Sequence, residues 1–497
     1  MNLFLEGLIN VFQWDVLLFL AFGTLLGIVI GSLPGLTSTM GVALMLPLTF
    51  GMDAVTGILL LIGVYFGSVY GGSLTAILIN TPGTPASAAT VMDGYPLTQK
   101  GKAHKALTVS TLSCAIGGLI SVIVLILVAP QLASFALKFS APESFALALF
   151  GLSIVSSIAG KSIVKGLMAG TLGLLIATIG LDPIGGFPRF TFGMPELSTG
   201  IGFIPIMIGL FATSEAFKSM EDIFKEKKVS VTLDKVKLKW HEFKGLIGTI
   251  LRSSGIGTFT GMIPGAGADI AAFVAYNEAK RFAKHKDEFG KGDLRGVAAP
   301  EAAGNSVTGG AMIPLLTLGI PGDAVTAVLL GALMVQGLQP GPMLFESNGP
   351  IVYTLFVGML LANILLLVFG LLGIRFFTKV LHIPKTILTP LILMLCVVGA
   401  YSLGNNYFDV VVMFVAGVVG YFFKRFEIPA SPVILGLILG PMMESNLRRA
   451  LVMSQGDLSI FYTRPITVVL LTIAVITLFT PFFTKKLMKK THKGATE

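Results

Sequence analysis

The stretch "YGGSLTAILINTPGTPASAAT", Tyr70–Thr90, places helix-breaking glycine and proline beside seven Ser, Thr or Asn side chains in a strongly apolar chain. A second stretch, "TGGAMIPLLTLGIPGDAVTA" (Thr308–Ala327), repeats the pattern. Each contains what a lipid-facing helix avoids. A broken helix in hydrocarbon leaves N–H and C=O groups unpaired, at several kcal/mol each, roughly. Such a break survives where protein covers it or where it lines a polar cavity.

The surroundings are membrane in character. The chain has 497 residues, 54% hydrophobic and 12% charged, where soluble domains are about a quarter charged. Apolar runs recur at Val16–Ile30, Ala106–Val128, Ile163–Ile179, Ile351–Gly373 and Val410–Phe423. Continuous runs without alternation predict an all-α polytopic membrane protein with roughly 10–14 membrane segments, and not a barrel. The N-terminus "MNLFLEGLINVFQWD" has no basic region and leads straight into a span, so a cleavable signal is not expected.

The net charge of +9 comes from Lys and Arg clustered in a few loops and the C-terminus. That is the habit of cytoplasmic loops, and no nucleic-acid partner follows from it. Cys114 and Cys396 each stand alone in apolar runs and read as core residues, with neither disulfide nor metal spacing.

An internal repeat connects the two opening stretches. "GSLPGLTSTM" from Gly31 matches "GMIPGAGADI" from Gly261. "GGSLTAILINTPGT" from Gly71 matches "GGAMIPLLTLGIPGD" from Gly309 at nearly the same spacing, and Glu215 aligns loosely with Glu444. The expected division is a first membrane repeat over 1–217, a charged linker over 218–244, a second repeat over 245–484 and a tail over 485–497. The linker, Arg281–Arg295 and Lys485–Lys490 are basic and are expected in the cytoplasm. Basic loops in one half face non-basic counterparts in the other, as two inverted repeats require. The N-terminus would then be periplasmic and the C-terminus cytoplasmic. Arg448 and Arg449 depart from this pattern.

Inverted repeats interrupted at matching positions point to a transporter's binding site. The expected backbone breaks are Gly31, Pro34, Gly35, Gly71, Gly72, Pro82 and Gly83 in the first half. Pro264, Gly265, Gly309, Gly310, Pro321 and Gly322 are their counterparts. Gly71–Gly72 reads as a close approach or a bend. Candidate substrate-binding side chains are Ser38, Thr39, Ser73, Asn80, Thr81, Thr84, Asn305, Thr308 and Asp323. Asp269, Thr317, Asp323 and Thr326 are candidate ion ligands, because intramembrane carboxylates and hydroxyls suit a small hard cation. Each hydroxyl has a plain alternative, a bond to its own helix, and Asp323 could cap the helix that follows it. Asp93, Glu143, Glu215 and Glu444 read as structural.

At these residues the chain resembles the large permease subunit of the tripartite tricarboxylate transporter family. The likeness rests on "GSLPGLTSTMG", "YGGSLTAILINTPGTPASAATVMDGYPL", "GMIPGAGADIAAFVAYNEAKR" and "TGGAMIPLLTLGIPGDAVTAVLLGALMVQGLQPGP", and it extends over nearly the whole chain. It implies a bacterial inner-membrane secondary carrier for citrate or another di- or tricarboxylate, driven by an ion gradient such as Na⁺. Its implied partners are a small membrane subunit of about four helices and a periplasmic solute-binding protein. Some relatives carry an acid directly after "NTPG", where this chain has Thr84; that departure leaves the identity of the carboxylate open.

Other classes fit less well. An ATP-driven pump needs a P-loop, and the near miss "VSSIAGKS" has Val155 where the first glycine belongs. For an enzyme, the five histidines (His104, His241, His285, His382 and His492) all fall in polar loops or tails, and no cofactor or metal site is expected. The alternative reading is an anion channel or facilitator using the same broken helices, and a purely structural scaffold is a third.

Overall fold

The computed structural model describes residues 2–33, 35–153, 162–182, 185–222, 236–380 and 385–478. The first part of the chain forms α1 (Asn2–Val11), α2 (Trp14–Gly31), α3 (Ser38–Met45), α4 (Ala54–Ile79), α5 (Val91–Gln99) and α6 (Ala103–Ala136). These are followed by α7 (Ala141–Ser153), α8 (Ile163–Ala177), α9 (Phe203–Met207) and α10 (Ser214–Asp222). A wider, π-helical turn over Ile208–Thr213 joins the last two. The second part forms α11 (Trp240–Met262), α12 (Gly267–Phe282), α13 (Leu294–Leu318), α14 (Ala324–Val335), α15 (Pro342–Ser347) and α16 (Gly349–Leu372). It ends with α17 (Ile374–Val380), α18 (Lys385–Gly404), α19 (Tyr407–Arg425), α20 (Ser431–Met453) and α21 (Pro465–Leu478). Among the described residues the only sheet is one short antiparallel pair, Gly180–Leu181 with Pro188–Arg189.

Five helices (α2, α4, α6, α16 and α19) are long and apolar enough to cross a membrane, and α8, α14 and α21 are shorter apolar helices. Leu127, Met394 and Val415 point out of the bundle, as side chains facing lipid do. The chain is an all-α polytopic membrane protein.

The core is built on glycine. In α2, Gly23, Gly27 and Gly31 recur every fourth residue; a Cβ on them would stand 2.3, 2.4 and 2.1 Å from the carbonyl oxygens of Leu60, Val64 and Ser68 on α4. Gly63, Gly67 and Gly71 of α4 meet the α2 backbone in return, at 2.8 Å or less from the oxygens of Leu20, Thr24 and Ile28. Two parallel backbones are thus in contact along about three turns, which only residues without a side chain permit. The second half repeats the arrangement. Gly257 and Gly261 of α11 lie against Ala303 and Val307 of α13, and Gly310 lies against Thr258.

This packing corrects one expectation. Gly71, Gly72, Gly309 and Gly310 are not breaks: α4 and α13 run unbroken through them. They are close-approach positions, and their missing Cβ serves the neighbouring helix instead of a bend. Helix ends do lie at several of the other positions. α2 ends at Gly31, and Gly35 (φ 96°) turns the chain into α3. α11 ends at Met262, and Pro264–Gly265 (φ 85° at Gly265) leads into α12. Pro34 lies outside the described residues, as do residues 223–235 of the charged linker and the tail.

Arg448, which departed from the charge pattern, is neutralised locally. Its guanidinium reaches Asp182 at 2.9 Å and Glu444 at 2.7 Å, and Arg189 also binds Glu444 at 2.7 Å. Glu215 is held by Lys424, and Glu143 by Arg464 at 3.1 Å. Asp93 is buried and accepts the Gly290, Gly292 and Asp293 N–H groups at 2.7–2.9 Å and the Tyr276 hydroxyl at 2.8 Å. It therefore pins the loop before α13.

Candidate functional site

α4 and α13 end in the same way. Asn80 (φ 58°) closes α4 in the left-handed conformation, and Gly319 (φ 69°) closes α13 at the matching place in the second half. Asn and Gly are the residues that tolerate this geometry. The chain then doubles back. At the first break the Gly83 N–H donates to the Gly72 carbonyl at 3.1 Å, and a Cβ on Gly83 would stand 2.2 Å from the Gly31 carbonyl oxygen. At the second, the Gly265 N–H donates to the Gly322 carbonyl at 2.6 Å, and a Cβ on Gly322 would stand 2.7 Å from the Gly261 carbonyl oxygen. Each break therefore presses against a turn between two helices, α2 and α3 in the first half and α11 and α12 in the second.

Both breaks lie beside the middle of α4. Thr84 is seated on Gly72, and the Tyr65 hydroxyl donates to Asp323 at 2.6 Å. Tyr65 and Gly72 are two turns apart, roughly 10 Å along the helix.

The candidate residues fall into three groups. Thr84 and Asn305 are buried, and among the described residues neither the Thr84 hydroxyl oxygen nor the Asn305 Oδ1 has a hydrogen-bond partner. The Asn305 amide donates to the Cys114 carbonyl at 2.8 Å and to Asn363 Oδ1 at 3.2 Å. These fix which end of the side chain is left open. Buried polar atoms without partners are uncommon and call for an explanation.

The second group is used within its own helices. Thr308 donates to the Asn305 carbonyl at 2.7 Å, and Thr317 to the Ile313 carbonyl at 2.6 Å. Thr326 and Asp323 form the first turn of α14: the Thr326 N–H and hydroxyl each donate to Asp323 Oδ1 at 2.8 Å. Asp323 is thus a helix cap and, through Tyr65, a link between the two halves.

The third group stands apart. Asn80 and Thr81 are exposed, as is Asp269 in the first turn of α12. Ser38 is buried and Thr39 half-buried at the start of α3. Ser73 is buried on α4 and faces a residue absent from the candidates, Glu301.

Glu301 is the clearest omission. It sits on α13 at 3% exposure. Its carboxylate accepts from the Ser110 hydroxyl at 2.8 Å, from the Cys114 thiol at 3.1 Å and from the Thr90 hydroxyl. Ser73 and Thr90 come from the first break's surroundings, and Ala86 packs on Gly304 one turn further along α13. The signal was present in "GVAAPEAAGNSVTGG", a lone acid four residues before Asn305 in a run of small residues. An ionisable residue inside a span is a functional-site hypothesis in its own right.

Comparison with known proteins places this arrangement in a family. The model of the tripartite tricarboxylate transporter TctA family matches residues 17–435, which include both breaks. An uncharacterised 52.8 kDa protein of the TAR-I ttuC′ 3′ region of Agrobacterium vitis is 40% identical over 456 residues, 91% of this chain and 90% of its own length. A second uncharacterised protein, from the TAR-II ttuC′ 3′ region of the same organism, is 39% identical over 220 residues, 44% of this chain and 91% of its own length. With a family model that takes in both breaks, on a polytopic helical chain, one assignment remains: the protein belongs to the tripartite tricarboxylate transporter TctA family and is the membrane transporter component of a tripartite system.

Proposed function

We propose that the chain is the large permease subunit of a binding-protein-dependent secondary carrier, importing a di- or tricarboxylate such as citrate across the bacterial inner membrane. An inward cation gradient, Na⁺ in the first instance, drives it. Its partners are a small membrane subunit of about four helices and a periplasmic solute-binding protein. The observation that carries the reading is the pair of matched breaks beside the middle of α4, with the Thr84 hydroxyl at the first of them unpartnered among the described residues.

The two breaks differ in charge, and this suggests a division of labour. At the first, the acid beside Gly35, Glu215, is held by Lys424. α3 begins there, with Ser38 and Thr39 in its first turn, and Thr84 belongs to the same break. The N-terminal end of a helix favours an anion, so the carboxylate is assigned to this side. The second break carries Asp323 and Asp269, which cap or open helices whose N-termini would otherwise attract an anion. Carboxylate and hydroxyl oxygens there suit Na⁺.

The halves are read as inverted repeats over 1–217 and 245–484, with the N-terminus periplasmic and the C-terminus cytoplasmic. The order of contacts supports this. Going down α4 from Tyr65 to Ser73, the partners run backwards, from Asp323 beside Ala311 to Glu301. α4 and α13 are therefore antiparallel, as counterparts in inverted repeats would be.

The test is uptake of labelled citrate into proteoliposomes holding this chain and the small subunit, with the binding protein outside. Accumulation that requires both an inward Na⁺ gradient and the binding protein is expected. Movement of carboxylates only down their own gradient, needing neither, would contradict the carrier reading and make the protein a channel.

A further inference from the structure

A cavity of about 970 Å³ lies between the end of α13 and α20, bordered by Leu318 and Gly341 on one side and by Glu444, Asn446 and Arg449 on the other. It adjoins the second break directly. The Gly341 N–H donates to the Leu316 carbonyl at 3.1 Å, and a Cβ on Gly319 would meet the Pro340 carbonyl oxygen at 3.0 Å.

Its charge is unevenly distributed. Arg189 and Arg448 share Glu444, and Arg448 also binds Asp182. In this cluster, with Arg449, three guanidiniums stand against two carboxylates, and Asp409 lies elsewhere, by Gly202 of the wall, 3.9 Å from where a Cβ on that glycine would stand. Arg449 is exposed in the cavity and has no acidic partner among the described residues. Arg189 Nε is buried and has no acceptor among the described residues. Guanidiniums bind carboxylates through paired, parallel N–H donors. A guanidinium without an acidic partner among the described residues, at a large cavity whose remaining wall is mainly apolar, is therefore matched to a carboxylate anion and poorly matched to a cation.

Position agrees with charge. Leu137, at the cavity wall, lies at the far end of the 34-residue α6 from the basic loop Lys100–Lys105. At that other end the Lys100 ammonium donates to the Lys291 carbonyl at 2.5 Å, joining two basic loops on one face. The cavity is thus on the face opposite the basic loops, where a periplasmic binding protein would deliver substrate.

We propose that this cavity is an entry site for the carboxylate, a station before the second break, with Arg449 as its anchoring cation. The proposal rests on the transport reading above and adds a second binding position to it. Thr199, exposed at the cavity wall, offers a reporter, because Cys114 and Cys396 are both buried. In a Thr199→Cys chain in proteoliposomes, the rate of labelling by a membrane-impermeant thiol reagent is measured against citrate and succinate, beside uptake in the same vesicles.

Carboxylate is expected to slow labelling. Arg449→Gln should raise the concentration for half-protection, and that for half-maximal uptake, at least about tenfold, with the maximal rate nearly kept; Arg449→Lys should lie between. Uptake at wild-type strength with no protection at saturating carboxylate would overturn the proposal, as would an Arg449→Gln chain unchanged in both readouts. Protection without any uptake would support the anion site while overturning the transport reading.

Discussion

Glu301 shows how much a single buried side chain is held in place here. Four donors converge on its carboxyl group: the Ser110 hydroxyl and Cys114 thiol from α6, the Thr90 hydroxyl from the turn before α5 and the Ser73 hydroxyl from α4. Glu301→Ala would strand all of them at once, and each buried polar group left unsatisfied costs roughly 1–3 kcal/mol. The purified Ala variant should therefore melt well below wild type. Glu301→Gln keeps the volume and one acceptor, and the hydroxyls can rotate to receive its amide, so its midpoint should fall much less. Equal midpoints for the two variants would mean that the network contributes little. Glu301 was legible as a lone acid in an apolar run, but its partners Ser73, Thr90, Ser110 and Cys114 lie nearly 200 or more residues away in the chain. Asp323 was legible as a cap or as an acid within the membrane; the structure makes it a half-buried cap, with one oxygen accepting from Thr326 and the other from Tyr65.

At the scale of the element, the glycine ladder between α2 and α4 separates what sequence can decide from what it cannot. Pro82–Gly83, Pro264–Gly265 and Pro321–Gly322 pair a residue that removes a donor with one that frees the backbone; proline alone does not end a helix here, since Pro300 and Pro314 lie inside α13 and Pro130 inside α6. Glycine alone does not end one either. Whether Gly71 bends a helix or admits a neighbour depends on what packs against it, and α2 is separated from it in the chain by α3 and its turns. The fourfold spacing of Gly23, Gly27 and Gly31 and of Gly63, Gly67 and Gly71 was the usable clue. Gly67→Ala would put a methyl 2.3 Å from the Thr24 carbonyl oxygen and should destabilise the protein by about 1–3 kcal/mol, as overpacking does. Gly248→Ala, on an exposed face of α11 with nothing within 4 Å, should instead be neutral or stabilising by about 0.5–1 kcal/mol. Thermal midpoints of the two purified variants check the pair, and an unperturbed Gly67→Ala chain would refute the contact.

Across the whole molecule the class of the chain was plain from composition, and the repeat was plain from its motifs. The meeting of the halves was not, because Tyr65–Asp323, Thr90–Glu301 and Asp93 with the loop before α13 are contacts between residues far apart in the chain. Those contacts bring the second break to Tyr65 and the first to Gly72 on the same helix. They make it reasonable that one substrate and its coupling cation occupy a common region. Glu215 lies 3.7 Å from where a Cβ on Gly35 would stand, while its counterpart Glu444 borders the open cavity beside the second break. The two halves thus present their breaks to different surroundings.

The measurement that bears most directly on a shared site is a double-mutant cycle across the halves. Thr84→Val removes the unpartnered hydroxyl of the first break at constant shape, and Asp323→Asn removes the charge of the second while keeping a capping side chain. The half-saturating concentrations of citrate and of Na⁺ for uptake are measured for wild type, both single variants and the double. If the two breaks bind substrate and cation together, each single variant weakens uptake, and the pair departs from additivity by about 1 kcal/mol or more. Strict additivity, or wild-type values in either single variant, would contradict a common site.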